Sequence, residues 1–133
     1  MSFTNPTVFI QLWVDTNSVQ NGTENGVYIV DNRVSNGSTN EGSTNLGTNV
    51  TQGSVIQWNV FNIDPTSADT PQLTAIGNAN VWGASGQPQL QGDGSFIGQA
   101  QATGSAGYQI TFNVQSSGGS GVTVNVSPSM NVH

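Results

Sequence analysis

The chain has no cysteine and no lysine, and Arg33 is its only arginine. Without cysteine, disulfides and thiolate metal sites are excluded, and the redox compartment leaves no trace in the composition. Charged residues make up only 6%, against roughly 25% in ordinary domains. Solubility therefore has to come from Asn, Gln, Ser and Thr. Histidine is nearly absent too: His133 is the last residue and the only one. A catalytic triad needs a positioned base, and neither a cysteine nucleophile nor a lysine is present. A carboxylate pair for glycoside hydrolysis is arithmetically available from seven acids, but no spacing singles one out. The chain is therefore not expected to be an enzyme. No apolar run approaches the ~20 residues of a membrane helix, so membrane insertion is not expected. Met1 to Thr7 has neither a basic segment nor an apolar core, so no secretory signal is expected. The expectation is then the cytoplasm, release by a route without a leader, or a mature form from which a leader has been removed. The net charge of −6 repels phosphate backbones and anionic lipid surfaces, which argues against nucleic acid and membrane partners.

What is present is alternation. Gly53 to Asn62 opens on a glycine and then alternates, with Ile56, Trp58 and Val60 on one face and Val55, Gln57, Asn59 and Phe61 on the other. A period of two marks a strand with one face more buried, and Trp58 at its middle makes it the expected central strand. Thr7 to Val14 repeats the pattern, with Val8, Ile10, Leu12 and Val14 against Phe9, Gln11 and Trp13. Val27 to Asp31 is a short strand. Asn32 to Asn45 is rich in Asn, Ser, Gly and Thr and reads as a long surface loop. Leu46 to Thr51 is a weak strand. Gln72 to Trp82 is a strand interrupted at Gly77, and Gly83 to Gly94 is a loop. Ser95 to Ala102 follows as a strand. Ala106 to Gln115, with Tyr108, Ile110, Phe112 and Val114 inward, forms a hairpin with Gly121 to Val126. Met130 to Val132 adds a closing pairing. No helical period is evident. One domain over residues 1–133 is expected, an all-β antiparallel β-sandwich of about eight short strands, with a barrel as the alternative.

Two kinds of ligand chemistry fit such a surface. Asp15, Asn17, Asn21 and Glu24 place hard oxygens along one polar loop holding two Asn-Gly turns. Asp64 and Asp69 form a second group, and Asp93, between Gly92 and Gly94, a third. Calcium takes 6–8 such oxygens, so calcium is the expected cofactor. The competing reading is that these side chains cap turns. Sugar sites stack an aromatic face on a pyranose and ring it with amides. Trp82 with Asn78, Asn80 and Gln87 is the expected platform, and Trp13 a second. Against this, either tryptophan could simply fill core or a subunit interface. The sequons at Asn21, Asn36, Asn49 and Asn125 arise by chance in a chain this rich in Asn, Ser and Thr. Finally, a surface with no lysine lacks the usual guard of sheet edges, so self-association is plausible although the net charge opposes it.

The layout resembles the bacterial AidA/PixA inclusion-body protein family. The resemblance is carried by Val8 to Thr16, a first strand ending in Val-Asp-Thr, and by Gly53 to Trp58, a glycine-led strand reaching Ile-x-Trp. Tyr108 to Val114 and then Ser127-Pro128-Ser129-Met130-Asn131-Val132 complete it. The last piece is similar to a closing Asp-Pro-x-hydrophobic-x-Val, with Ser127 where an acid is usual. The resemblance implies a small, non-enzymatic bacterial protein, accumulated in cells or deployed against a host, and it supplies no site residues. The glycine-led strand is also similar to that of cupredoxins, but copper ligation needs His and Cys that the chain lacks. The leading expectation is a glycan-binding, lectin-like homo-oligomer assisted by calcium. The alternative is a self-assembling structural or storage protein without a small-molecule ligand.

Overall fold

The alternating segments do become strands. In the computed structural model, which describes residues 5–16, 26–66, 68–77, 79–115 and 121–133, the first is β1 (Val8–Val14), whose Val8, Ile10, Leu12 and Val14 are all fully buried. β2 (Val27–Asp31) pairs antiparallel with β1, and β3 (Gly47–Val50) precedes β4 (Val55–Asn62). β5 is Thr70–Ile76, β6 Gln89–Leu90, β7 Phe96–Gln99 and β8 Gly104–Gly107. The chain closes with β9 (Ile110–Gln115), β10 (Gly121–Val126) and β11 (Ser129–Val132).

These strands form a five-stranded sheet in the order β2-β1-β4-β7-β6 and two three-stranded sheets, β10-β9-β5 and β3-β11-β8. β4 is therefore central in its sheet, as the Trp58 alternation implied. One apolar cluster draws on all three sheets, with Trp58, Trp82 and Phe112 its largest fully buried side chains. The fold is all-β: among the described residues there is no α-helix, only 3-10 turns at Val34–Asn36 and Asn80–Trp82.

Several expectations need correction. Among the described residues there are eleven strands rather than about eight. Two of the pairings are parallel, β1 with β4 and β11 with β3. Parallel neighbours require distant segments, and an alternation pattern carries no direction. The expected strand at Ala106 to Gln115 is two strands, because Tyr108 and Gln109 break the run and β8 and β9 join different sheets. The strand expected through Trp82 stops at Ile76. Gly77 lies close against the residue before β9, since a Cβ there would meet the Gln109 backbone at 3.3 Å.

Candidate functional site

Strand parity decides which side chains the five-stranded sheet shows to the outside. β1 turns Phe9, Gln11 and Trp13 outward, β4 turns Gln57, Asn59 and Phe61 outward, and β2 contributes Tyr28 and Val30. The register sets Trp13 beside Phe61 on one side and Tyr28 on the other. Trp13 and Phe61 stack with ring centroids 4.8 Å apart and planes 26° apart. The indole N–H of Trp13 donates to the Gln11 amide oxygen at 3.3 Å. Trp13 and Phe61 are each 37% exposed and Tyr28 is 48% exposed, so this row faces solvent. None of these outward strand positions carries a charge.

Trp82 is elsewhere. It is fully buried, packs edge-on against Trp58 at 5.4 Å and Tyr108 at 5.5 Å, and donates its N–H to the Gly77 carbonyl. A ring enclosed in this way offers no face to a sugar, so the expected platform at Trp82 is corrected to a core anchor. Asn80 and Gln87 do come together with Ala79 and Gly83 around a cleft of about 430 Å³, and the Gln87 amide donates to the Gly83 carbonyl. Asn78 lies outside the described residues. Trp13 points away from the sheet face on which Trp58 and Trp82 pack. Trp13 thus does not join Asn80 and Gln87 at their cleft.

Among the described residues, the candidate calcium ligands do not form a group of three. Asn17, Asn21 and Glu24 lie outside the described residues, and Asp15 is half-buried just past β1. Asp64 accepts hydrogen bonds from the Thr66 N–H and hydroxyl, which hold its carboxyl below the usual carboxylate range. Asp93 is held the same way by Ser95. The Asp69 carbonyl accepts a hydrogen bond from the Asn62 amide. Both Asp64 and Asp93 are thus turn-stabilising acceptors. Among the described residues, no three His, Cys, Asp or Glu side chains cluster.

One acidic pair escaped the sequence reading. Asp31 shares the parity of Val27 and Ile29, so its side chain turns inward at the end of β2. Glu41 folds back from the following loop and accepts the Asp31 N–H at 2.9 Å. Asp31 in turn accepts the Arg33 N–H at 2.8 Å. The second oxygens, Asp31 Oδ2 and Glu41 Oε2, are buried without a partner. Burial and then the neighbouring Asp31 carboxyl push Glu41 up from 4.5 to about 7. The buried Tyr108 phenol is also raised, by desolvation and then by the Asp31 charge. An acid at an inward strand position is a signal the sequence does carry. Glu41 gave none, because it reaches Asp31 only through the fold of the loop.

A family model described as "Domain of unknown function (DUF8788)" matches residues 6–120. No curated protein matches in sequence. Among solved structures, the chain is similar to the inclusion body protein PixA from Burkholderia cenocepacia J2315, with a TM-score of 0.76 at 14% identity, covering 100% of this chain and 99% of that one. That likeness shows a shared fold.

Proposed function

We propose, for a chain that belongs to the family of unknown function DUF8788, a self-associating protein that accumulates through contacts between its own copies and performs no catalysis. The observation that carries this reading is the uncharged, aromatic outer face of the five-stranded sheet, with Trp13, Phe61, Tyr28 and Phe9 exposed on it. Two molecules of net charge −6 can meet on this face without bringing strand carboxylates together. Its fold-mate's name, inclusion body protein, points the same way. At strand spacings of about 4.8 Å and rises of about 3.3 Å, the face offers roughly 400–500 Å² per copy. A stable pairwise interface buries about 800 Å² per partner. One such contact is therefore weak, and it favours dense assembly at high concentration over a tight dimer.

The experiment is sedimentation velocity across a concentration series, comparing the natural chain with Trp13→Ser and Phe61→Ser. Concentration-dependent assembly that both substitutions reduce supports the reading. Assembly unchanged by either substitution sinks it for this face.

A second reading has its own observation. The stacked Trp13–Phe61 pair, flanked by Gln11, Asn59 and Gln57, also has the makings of a sugar platform. A glycan array run with calcium and again with EDTA separates the readings. Binding that Trp13→Ser abolishes identifies a lectin, and loss in EDTA adds calcium to it. No binding on a folded sample leaves self-assembly alone.

A further inference from the structure

β2 is an edge strand of the five-stranded sheet. In its antiparallel pairing with β1, backbone groups alternate between facing β1 and facing away. Ile29 and Asp31 are among those facing away, and both are covered by the 40–45 loop. The Gly42 N–H donates to the Ile29 carbonyl at 2.7 Å, and the Asp31 N–H donates to the Glu41 carboxyl at 2.9 Å. A side-chain carboxyl thus occupies the place of a neighbouring strand's carbonyl. The chain has no lysine to guard this edge in the usual way.

We propose that the β2 edge is a docking edge for β2 of a second copy, and that the contact between Asp31 and Glu41 is the latch that opens it. The proposal rests on the self-association reading above. An edge strand is self-complementary: two antiparallel copies related by a two-fold axis offer each other matching N–H and C=O groups. The outward side chains of β2, Tyr28 and Val30, are uncharged, and Tyr28 belongs to the exposed aromatic row. Pairing at β2 would continue that row across the two-fold axis.

The latch responds to protonation. With one proton between them, the two carboxyls can share a hydrogen bond. With none, two buried oxygens without partners repel each other. The charged groups around the latch are few. Arg33 offers Asp31 its backbone N–H, while its guanidinium Nε donates to the Asn49 carbonyl at 3.2 Å. Tyr108 remains a neutral phenol. Raising the pH through about 7 therefore loosens the loop and frees the edge. Net charge works in the opposite direction, because deprotonating Glu41 takes the chain up to its full −6.

The test is sedimentation velocity at constant ionic strength from about pH 5.5 to 8.5, with hydrogen exchange at the Asp31 amide, on the natural chain, Glu41→Gln and Glu41→Ala. The natural chain should assemble more tightly as pH rises past the latch, by up to about tenfold per pH unit for each of the two latches that open in a pair. Glu41→Gln can still accept the Asp31 N–H and can also donate to the Asp31 carboxylate, so its association should be weak and flat with pH. Glu41→Ala should associate strongly at every pH, with fast Asp31 exchange. If Glu41→Ala does not fold, the lost pH response of Glu41→Gln decides alone. Assembly that tightens as pH falls, equally in the natural chain and Glu41→Gln, overturns the latch. Fast Asp31 exchange in Glu41→Ala with no gain in assembly overturns the docking edge. If Trp13→Ser weakens assembly while both Glu41 variants leave it unchanged, only the edge proposal fails. No assembly in any variant overturns the self-association reading as well.

Discussion

Trp58 and Tyr108 show how one buried polar contact stabilises the core. The Trp58 indole donates to the Tyr108 hydroxyl at 3.2 Å, with both rings buried and edge-on to Trp82. Replacing Tyr108 by Phe keeps the ring and removes the acceptor. The stranded indole N–H should cost about 1–3 kcal/mol in urea unfolding, with little change in the denaturant slope. Glu41 makes a different prediction. Its folded value of about 7 lies above its ordinary 4.5, so the folded chain holds a proton that the unfolded chain releases. Its stabilising contribution is fully present below pH 4.5 and is lost as pH rises to about 7. Asp64 and Asp93 act oppositely, because their lowered values favour the folded state above the ordinary 3.8 and lose that effect as pH falls below it. Unfolding midpoints between pH 4.5 and 7.5 should decline for the natural chain and stay level for Glu41→Gln.

At the scale of elements, glycines set how closely segments approach. A Cβ at Gly86 would lie 2.2 Å from both the Gln99 and Trp82 carbonyl oxygens. The segment after the Asn80–Trp82 turn can therefore lie against β7 only with glycine there. Gly86→Ala should lose about 1–3 kcal/mol by forcing that segment off the sheet. Gly92 has nothing within 4 Å of such a Cβ and no left-handed backbone. Gly92→Ala should therefore be neutral or stabilise by about 0.4–1 kcal/mol, by narrowing the unfolded ensemble. Thermal melts of the two variants check both. Element identity followed legible rules: β1, β2, β4 and the β9–β10 hairpin were readable because period-two alternation persists through them. The turn at Asn80–Trp82 was not, because Trp82 lies beyond the break at Gly77, where parity no longer says which way a ring points.

For the whole molecule, the scarcity of cations governs behaviour. With seven acids and one arginine, copies repel at long range, and the proposed contact between uncharged faces has to form against that repulsion. The screening length falls from about 30 Å at 0.01 M salt to about 8 Å at 0.15 M. Adding salt should therefore strengthen self-association, where an assembly built on ion pairs would weaken. Light scattering between about 0.01 and 0.5 M sodium chloride at fixed pH checks the sign.

Much of the core was determined by sequence alone. Val8, Ile10, Leu12, Val14 and Trp58 had to face inward, because adjacent strand residues point to opposite sides and only one side can leave water. The same parity placed Trp13 with Gln11 on the outer face. The all-β class and the charge deficit also needed no structure. Tertiary structure alone decided the parallel pairing of β1 with β4, because alternation is identical in either direction. It also decided that Trp13 meets Phe61, 48 residues on, and that Trp82 is enclosed. Glu41 reaches Asp31 for the same reason. Such contacts join segments distant in the chain, and local periodicity cannot specify which loop folds over which edge.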